Sequence, residues 1–305
     1  MKIGVSSCLL GEQVRFDGGH KRDSFLVDTF GKYAEWTTVC PEVEIGLGIP
    51  RDSLRLTDSG SGTRLIITKT GEDLTQRMTE FSEKRAKEIT RLKLAGYVLK
   101  AKSPSCGMER VKVYHPGTMP DRGVGLFAAA LLKACPHLPV EEEGRLQDPG
   151  LRENFVTRVF TYQRWLDMAE LGLTRARLMK FHEQHKFILF SHNQAGSRAL
   201  GNLLGQGGSA SDYLDKLTDV MKRTPTRKNH TNVLQHLAGF LKDRIDDHDR
   251  KELGDVIERY RQGLLPLIVP ITLLRHHVVK LDVDYLRDQI YLNPHPHELM
   301  LLNHV

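Results

Sequence analysis

Strand-like and helical patterns alternate through the first 140 or so residues of the chain, and after them the strand-like runs almost cease. The β-rich runs MKIGVSS, TRLIITKT and GYVLKAKS are interleaved with a helical pattern over residues 74–95 and another in VGLFAAALLKA. Such alternation is typical of βα crossover units, which build a mostly parallel sheet covered by helices. We therefore predict a three-layer α/β domain with a mostly parallel sheet over residues 1–145.

Residues 146–305 are predicted to form an all-α domain. Helical segments follow the acidic stretch PHLPVEEEGRLQDPG and continue to the C-terminus, with interruptions at GQGGSAS and TPTRKN. Asp148 and Pro149 have the chemistry of a helix N-cap and of a first helical residue. The chain thus reads as an α/β domain followed by a helical one.

The N-terminal segment is expected to be a first strand and not a signal peptide, because its short apolar run has no small-residue cleavage site and enters a charged loop. No stretch reaches the roughly 18 consecutive apolar residues of a membrane helix. Four cysteines in 305 residues are too few for a disulfide scaffold. We expect reduced thiols, a cytoplasmic location and no membrane partner.

Three cysteines lie at or after the ends of predicted strands. Cys8 ends the first strand, Cys40 ends the second, and Cys106 follows the strand over 97–102. Because the C-terminal ends of parallel strands lie on one edge of the sheet, the three thiols are expected to share a site. Their long separations match no CxxC motif of zinc ribbons or ferredoxins. The alternative is three thiols buried as small apolar side chains.

Polar residues adjoin each of these cysteines. Glu42 follows Cys40 across Pro41, which ends the hydrogen-bonding ladder of the strand. The loop after Cys8 combines glycines with basic residues and suits a negatively charged ligand. The candidate substrate-binding residues are Arg15, Gly18, Gly19, Lys21, Arg22 and, near the third cysteine, Lys102.

Three motifs in this order, VSSCLLGEQVRFDGGHKR, VCPEVEIGLGIPR and LKAKSPSCG, resemble the thiouracil desulfidase family over about residues 1–140. The resemblance implies a [4Fe-4S] cluster held by Cys8, Cys40 and Cys106. The helical remainder resembles a second domain that some of these proteins carry. This fused form is similar to bacterial desulfidases that convert 4-thiouridine in tRNA to uridine with release of hydrosulfide.

The implied chemistry is hydrolysis at an iron that no protein thiolate occupies, to which a thione sulfur binds. Glu42 is the predicted base that activates water, and Glu44 is a reserve because it shares strand parity with Glu42. A hydroxyl of Ser103 or Ser105 is expected to relay a proton or to hold the base or the pyrimidine. The alternatives are that Glu42 pairs with Arg51 and that the serines cap a turn.

The helical part contains two clusters of basic residues that we predict to contact tRNA, with no DNA partner expected. The overall net charge of +6 is too modest to identify a nucleic-acid-binding protein by itself. One cluster is on a predicted helix, where basic side chains often merely cover the surface, and the other is in a Thr/Pro loop. The predicted RNA-binding residues are Arg175, Arg177 and Lys180 in the first cluster and Lys222, Arg223, Arg227 and Lys228 in the second.

Two other functions stay open at this point. One is desulfuration of free thiouracil or thiouridine nucleotides, and the other is a non-enzymatic iron–sulfur or redox sensor. Cys135 ends an apolar helix and is expected to pack. His182, His185 and His192 lack the spacing of a recognised metal motif and are expected at the edge of the core or facing RNA. The oligomeric state is left open.

Overall fold

A computed structural model of the chain describes residues 1–58, 60 and 62–304. It divides the chain into two units, Met1–Gln147 and Asp148–Val305. The first unit thus ends two residues after the predicted domain boundary at residue 145. The α/β class of the first part and the helical class of the second are confirmed.

The first unit contains eight described strands and three α-helices. The strands are β1 (Lys2–Ser6), β2 (Glu35–Val39), β3 (Leu54–Asp58), β4 (Thr63–Ile67), β5 (Gly96–Leu99), β6 (Val111–Tyr114), β7 (Asp121–Gly123) and β8 (Val140–Glu142). The helices are α1 (Pro41–Glu44), α2 (Thr75–Arg91) and α3 (Leu126–Ala134). The long helix predicted over 74–95 is α2, with Met78, Ser82, Ala86 and Ile89 on its buried face.

A parallel sheet of order β2-β1-β5-β8 positions the cysteines. Every residue of β5, and of β1 from Ile3 onward, is buried, as is typical of strands covered on both faces. Gly4 of β1 pairs with Tyr97 of β5, and a Cβ on Gly4 would lie 2.1 Å from the Tyr97 ring. The glycine therefore makes room for an aromatic ring in the core beside the strand end.

A second sheet, of order β4-β3-β6-β7, is mixed. The strand pattern of the sequence does not predict that these strands form a sheet of their own. β3 pairs antiparallel with β4 and parallel with β6, and β6 pairs antiparallel with β7. Leu56, Leu65 and Val113 of this sheet pack with Met78 of α2 in one hydrophobic cluster. The periodicity of a short segment predicts that it is a strand. It does not predict which sheet the strand joins, because that depends on pairing with strands distant in the chain.

The second unit consists of eight described α-helices and short helical turns. They are α4 (Pro149–Glu170), α5 (Arg175–His192), α6 (Gln194–Gly205), α7 (Ala210–Lys222), α8 (Arg227–Gly239), α9 (Asp247–Arg261), α10 (Ile268–Lys280) and α11 (Asp284–Arg287). Six of them begin with a side-chain N-cap, including the predicted Asp148. Their apolar faces enclose one large core around Trp165, Tyr213 and Leu234. Among the described residues, no helix is both long and apolar enough to cross a membrane.

Candidate functional site

Cys8, Cys40 and Cys106 follow three neighbouring strands of the parallel sheet and lie near one edge of it. β1 lies between β2 and β5, and all three run in the same direction. Cys8 lies in a helical turn directly after β1, and Cys40 comes directly after β2. β5 ends at Leu99, three residues before the predicted end, and a turn then leads to Cys106. All three cysteines line a single cavity of about 400 Å³.

Burial is the main influence on these thiols. It raises the pKa of Cys8 to about 11, although the nearby Lys100 ammonium acts in the opposite direction. Burial likewise raises the pKa of Cys40 and of Cys106, and the three thiols affect one another electrostatically. Thiols held protonated by burial become ligands when a metal centre supplies positive charge and displaces the proton.

The donor set fits an iron–sulfur group with three protein ligands. Three cysteines line the cavity, and thiolates are the soft ligands that iron–sulfur clusters use. Five basic residues and one carboxylate, Glu42, are among the described residues that line the cavity. Arg15, Arg51 and Lys100 each pair with a carboxylate, whereas Lys21 and Lys102 have none within 4 Å among the described residues. The charges of these two lysines favour an anionic group, as three thiolates around a metal cluster would be.

Ser6 was not predicted from the sequence. Its side chain hydrogen-bonds the Cys106 thiol and accepts from the backbone N–H of Lys100. The only sequence feature that points to Ser6 is its position in the motif VSSC, two residues before Cys8.

Glu42 lies in the cavity wall and is held from two directions. Pro41 opens the short helix α1, with Cys40 as its N-cap, so that Glu42 leaves the sheet as predicted. Arg51 donates from Nε at 2.9 Å and from Nη2 at 2.6 Å to Oε2 of Glu42. Ser105 donates from Oγ to Oε1 at 3.0 Å. Glu42 therefore does pair with Arg51, which was the alternative to a catalytic role. The pairing orients the carboxylate, and Glu42 still lines the cavity.

The strand parity assigned to Glu42 and Glu44 is wrong, because both residues lie in α1 and not in a strand. Glu44 Oε1 accepts from the Cys40 N–H at 3.2 Å, and Oε2 lies 3.3 Å from Nε of Arg85. Burial raises the pKa of the Glu44 carboxyl despite Arg85. Glu44 is thus placed to hold the backbone beside a cysteine and does not line the cavity.

Ser103 and Ser105 have different positions. Ser103 Oγ accepts from the backbone N–H groups of Ser105 and Cys106, at 3.2 and 3.1 Å. This is the turn-capping role that the sequence left open for both serines. Ser105 is fully buried, and its hydroxyl bonds Glu42.

The predicted substrate-binding residues are only partly gathered at the cavity. Arg15, Lys21 and Lys102 line it. Gly18 and Gly19 form the turn of the loop, where Gly18 donates to the Arg15 carbonyl and has a φ of 74°. Arg22 lies outside the lining and pairs with Asp28 at 2.5 Å. The glycines therefore shape the loop that carries Arg15 and Lys21, whereas Arg22 pairs with Asp28 outside the lining.

The first predicted RNA-binding cluster is occupied by contacts within the helical unit. Arg175 donates to the Leu204 carbonyl at 2.9 Å, and Arg177 donates to the Leu171 carbonyl at 2.5 Å. Both side chains thereby satisfy the free carbonyls at helix ends. Lys180 pairs with Asp288 at 3.0 Å. These contacts give all three residues a structural explanation.

The second cluster does not lie in a loop, as the sequence suggested. Lys222 is the last residue of α7 and pairs with Asp219, whereas Arg227 and Lys228 begin α8. The segment between the helices is only residues 223–226. Arg223, Arg227 and Lys228 have no carboxylate within 4 Å in the described part of the chain, and all three are exposed.

The three histidines singled out in the sequence, His182, His185 and His192, make hydrogen bonds within the helical unit. His185 and His192 are buried and hydrogen-bond the Phe181 and Arg223 carbonyls, and burial lowers the pKa of each, to about 3 and about 4. His182 bonds the Tyr213 hydroxyl at 3.0 Å. His185 and His192 therefore lie inside the core and not at its edge, whereas His182 is half-buried. Cys135 is half-buried at the end of α3 and lies away from the cavity lining.

Comparison with known protein families gives two matches that lie one after the other in the chain. The family model described as 2-thiouracil desulfurase matches residues 3–143. The model described as a protein of unknown function, DUF1722, matches residues 186–296.

Individual relatives match about half of the chain each. The protein YbbK of Bacillus subtilis (strain 168) is 32% identical over 143 residues, which are 43% of this chain and 90% of YbbK. The protein YbgA of Escherichia coli (strain K12) is 27% identical over 156 residues, which are 49% of this chain and 92% of YbgA. A solved structure of TudS, described as a [4Fe-4S]-dependent thiouracil desulfidase, is 30% identical, covers 48% of this chain and 93% of its own, and superimposes with a TM-score of 0.39.

Proposed function

Since the chain belongs to the 2-thiouracil desulfurase family, we propose that it is a desulfidase whose substrate is 4-thiouridine in tRNA, which it converts to uridine with release of hydrosulfide. The observation that carries the proposal is the cavity in which Cys8, Cys40 and Cys106 meet Glu42. Three soft ligands beside one oriented carboxylate suit an attack by water on a carbon that carries sulfur.

We assign a [4Fe-4S] cluster to the three cysteines, the cofactor on which the similar TudS desulfidase depends. When bound there, the cluster would supply a Lewis acid with affinity for a soft thione sulfur, and this would polarise the C–S bond. In the overall reaction, the oxygen of one water forms the new C–O bond, the C–S bond breaks, and the sulfur leaves as hydrosulfide. The oxidation states of carbon and sulfur do not change, so no external reductant is required.

Glu42 is the proposed base. Oε2 receives two N–H groups from Arg51, and Oε1 receives the Ser105 hydroxyl, which leaves Oε1 with acceptor capacity towards the cavity. Water bound at this oxygen loses its proton to Glu42. Ser105 is then a positioning residue, because its hydroxyl reaches the cavity only through the carboxylate.

Arg15, Lys21 and Lys102 are proposed to bind the phosphates that flank the thiolated base, since all three residues line the same cavity. Arg15 would do so while its Nε lies 3.3 Å from Oδ1 of Asp17. A volume of about 400 Å³ is at the small end of the roughly 300–1,000 Å³ of small-molecule sites. It suits a single base and not an intact stem. The base must therefore leave its stack, which costs on the order of a few kcal/mol and least where it is already unpaired.

We assign tRNA contact to the second unit, and within the predicted clusters to Arg223, Arg227 and Lys228, whose charges are exposed and without a carboxylate partner in the described chain. Contacts of this kind give affinity without reading the sequence. We place the reaction in the cytoplasm, because four free thiols suit a reducing compartment.

The experiment that tests this function is an anaerobic turnover assay. The protein is reconstituted with iron and sulfide and given bulk bacterial tRNA, and 4-thiouridine is measured in the nucleoside digest. We expect the thionucleoside to disappear, hydrosulfide to appear in equal amount, and Cys106→Ala to abolish both.

Free 4-thiouridine monophosphate and 2-thiouracil are assayed in parallel. Turnover of these compounds but not of tRNA would contradict the tRNA assignment and favour an enzyme of free thiopyrimidines. A preparation with full iron content and no turnover on any of the three would contradict the enzymatic function and favour a sensor.

A further inference from the structure

A groove on the helical unit combines aromatic rings with basic groups. It has a volume of about 340 Å³ and lies between α5, α6 and the C-terminal end of α8. Phe187 and Phe190 of α5 and Phe240, directly after α8, contribute its rings. Lys186 of the groove belongs to the basic residues that the sequence places around the helix of the first cluster, whereas Arg198 lies outside both predicted clusters.

The rings are held in fixed orientations. Phe240 is 44% exposed, yet its ring meets Phe187 edge to face at 6.2 Å and packs against Tyr285 at 5.3 Å. The ring of Phe190 meets His236 edge to face at 5.4 Å. A large aromatic side chain that is both exposed and held in place offers a flat surface without a further cost in conformational entropy.

The charges around the groove are positive and largely without acidic partners. Arg198 is exposed and has no carboxylate within 4 Å among the described residues. Lys186 donates to the Tyr285 hydroxyl at 3.0 Å, and its ammonium lies 5.1 Å from the centre of the Phe187 ring. No aspartate or glutamate is among the described residues that line the groove. Lys180, on the same helix, is instead paired with Asp288.

We infer that this groove binds single-stranded RNA by stacking bases on Phe240 and Phe190 while Arg198, Lys186 and His236 contact the phosphates. Exposed rings interleaved with cationic groups are the combination by which proteins hold single-stranded nucleic acid with little sequence preference. The inference rests on the proposed tRNA substrate and locates where an unpaired stretch of that RNA is held. An acidic peptide would match the charges but would leave the ring faces without a planar partner.

The test is binding of a full-length tRNA transcript without thiolation, so that no turnover accompanies it. Phe240→Leu removes the π face but keeps apolar volume against Phe187, and Phe240→Tyr keeps the ring. Arg198→Gln removes the unpaired charge, and Lys251→Gln removes one exposed charge from α9 as a matched control. Melting curves of all four variants establish that they are folded.

We expect Phe240→Leu to bind the transcript about tenfold more weakly than the wild type, as a lost stacking contact does. Phe240→Tyr should bind like the wild type. Arg198→Gln should weaken binding and reduce the slope of log affinity against log salt by somewhat less than one, with a larger effect than Lys251→Gln.

Equal affinities for the wild type, Phe240→Leu and Arg198→Gln would overturn the inference, as would a wild type that does not bind tRNA at low salt. Polyglutamate that displaces the transcript as well as polyuridylate does, with Phe240→Leu unaffected, would also overturn it and indicate a surface for acidic protein. Turnover of thiolated tRNA and of free 4-thiouridine monophosphate separates the two proposals. If the groove variants lose binding but the wild type desulfurates nothing, the groove stands and the proposed function falls.

Discussion

Ser105 donates a hydrogen bond of 3.0 Å to Oε1 of Glu42, across 63 positions of the chain. The bond ties the loop that carries Cys106 to the short helix that follows Cys40. Arg51 holds the other oxygen of the same carboxylate. The orientation of the proposed base is therefore coupled to the loops of two proposed cluster ligands.

We predict that Glu42→Gln lowers the turnover of thiopyrimidine by about 10²–10⁴-fold, the usual contribution of a general base, because the amide cannot accept the proton of water. The iron content should not change. Ser105→Ala should have a smaller effect, since the carboxylate keeps Arg51. Anaerobic rates are compared at matched iron content, and a Glu42→Gln enzyme within about threefold of the wild type would exclude Glu42 as the base.

Replacing any one of Cys8, Cys40 and Cys106 by serine is expected to lower the iron and sulfide bound after reconstitution, because a hard hydroxyl is a poor ligand for an iron–sulfur cluster. Cys135→Ser is the matched control, since that thiol lies off the cavity. Iron analysis and visible absorption measure the outcome. Equal iron in Cys40→Ser and Cys135→Ser would remove Cys40 from the ligand set.

Gly125→Ala should disturb the loop of Cys106. A Cβ at this position would lie 2.5 Å from the Ser105 carbonyl oxygen and 3.0 Å from the Cys106 nitrogen, so the backbone of the loop would have to move. We expect less bound iron and lower turnover. Gly144→Ala, whose Cβ would meet only Ala101 at 3.7 Å, is the control. Normal iron and activity in Gly125→Ala would show that the loop tolerates this displacement.

A chain that ends at Gln147 is predicted to keep activity on free thiopyrimidine and to lose activity on tRNA. The first unit has its own sheets and core and contains the whole cavity, whereas the proposed RNA contacts beyond the thiolated base and its flanking phosphates lie in the second unit. Turnover on the two substrates is compared after iron reconstitution. An equal loss on both would indicate that the second unit is structural.

Glu153 should contribute a loss of stability to the helical unit as pH rises between about 4.5 and 8. Burial raises the pKa of Glu153 from 4.5 to about 8, and its Oε2 lies 3.2 Å from Nε2 of His304. In this window the folded state retains a proton that the unfolded state has released, so the free energy of unfolding falls by up to about 1.4 kcal/mol per pH unit.

Glu153→Gln removes this contribution, so the variant should have a higher melting temperature than the wild type at pH 8.5 and nearly the same melting temperature at pH 5. Melting curves of both proteins across this range measure the effect. Parallel curves for the two proteins would contradict the assignment to Glu153.

Periodicity along the chain was enough to predict the two-part architecture and the shared sheet edge of the three cysteines. Strand and helix periodicity are local properties of the chain, and parallel strands carry their C-terminal residues to one edge wherever they pair. The positions of Cys8, Cys40 and Cys106 at or beyond strand ends therefore sufficed to group them. Glu42, two residues from a ligand, was within reach of the same argument.

The contacts of each polar side chain depend on how distant segments pack and could not be predicted from the sequence. Arg177 and Lys180 are basic residues of the kind that an RNA-binding face contains. In the structure, Arg177 instead donates to the Leu171 carbonyl at a helix end, and Lys180 pairs with Asp288. Ser103 and Ser105 are alike in sequence and differ in role, because only Ser105 meets Glu42. The exposed ring of Phe240 and the unpaired Arg198 lie on one groove only because α5, α6 and α8 pack together. Hydrogen-bond and ion-pair partners are set by packing between distant segments, and no local pattern records them.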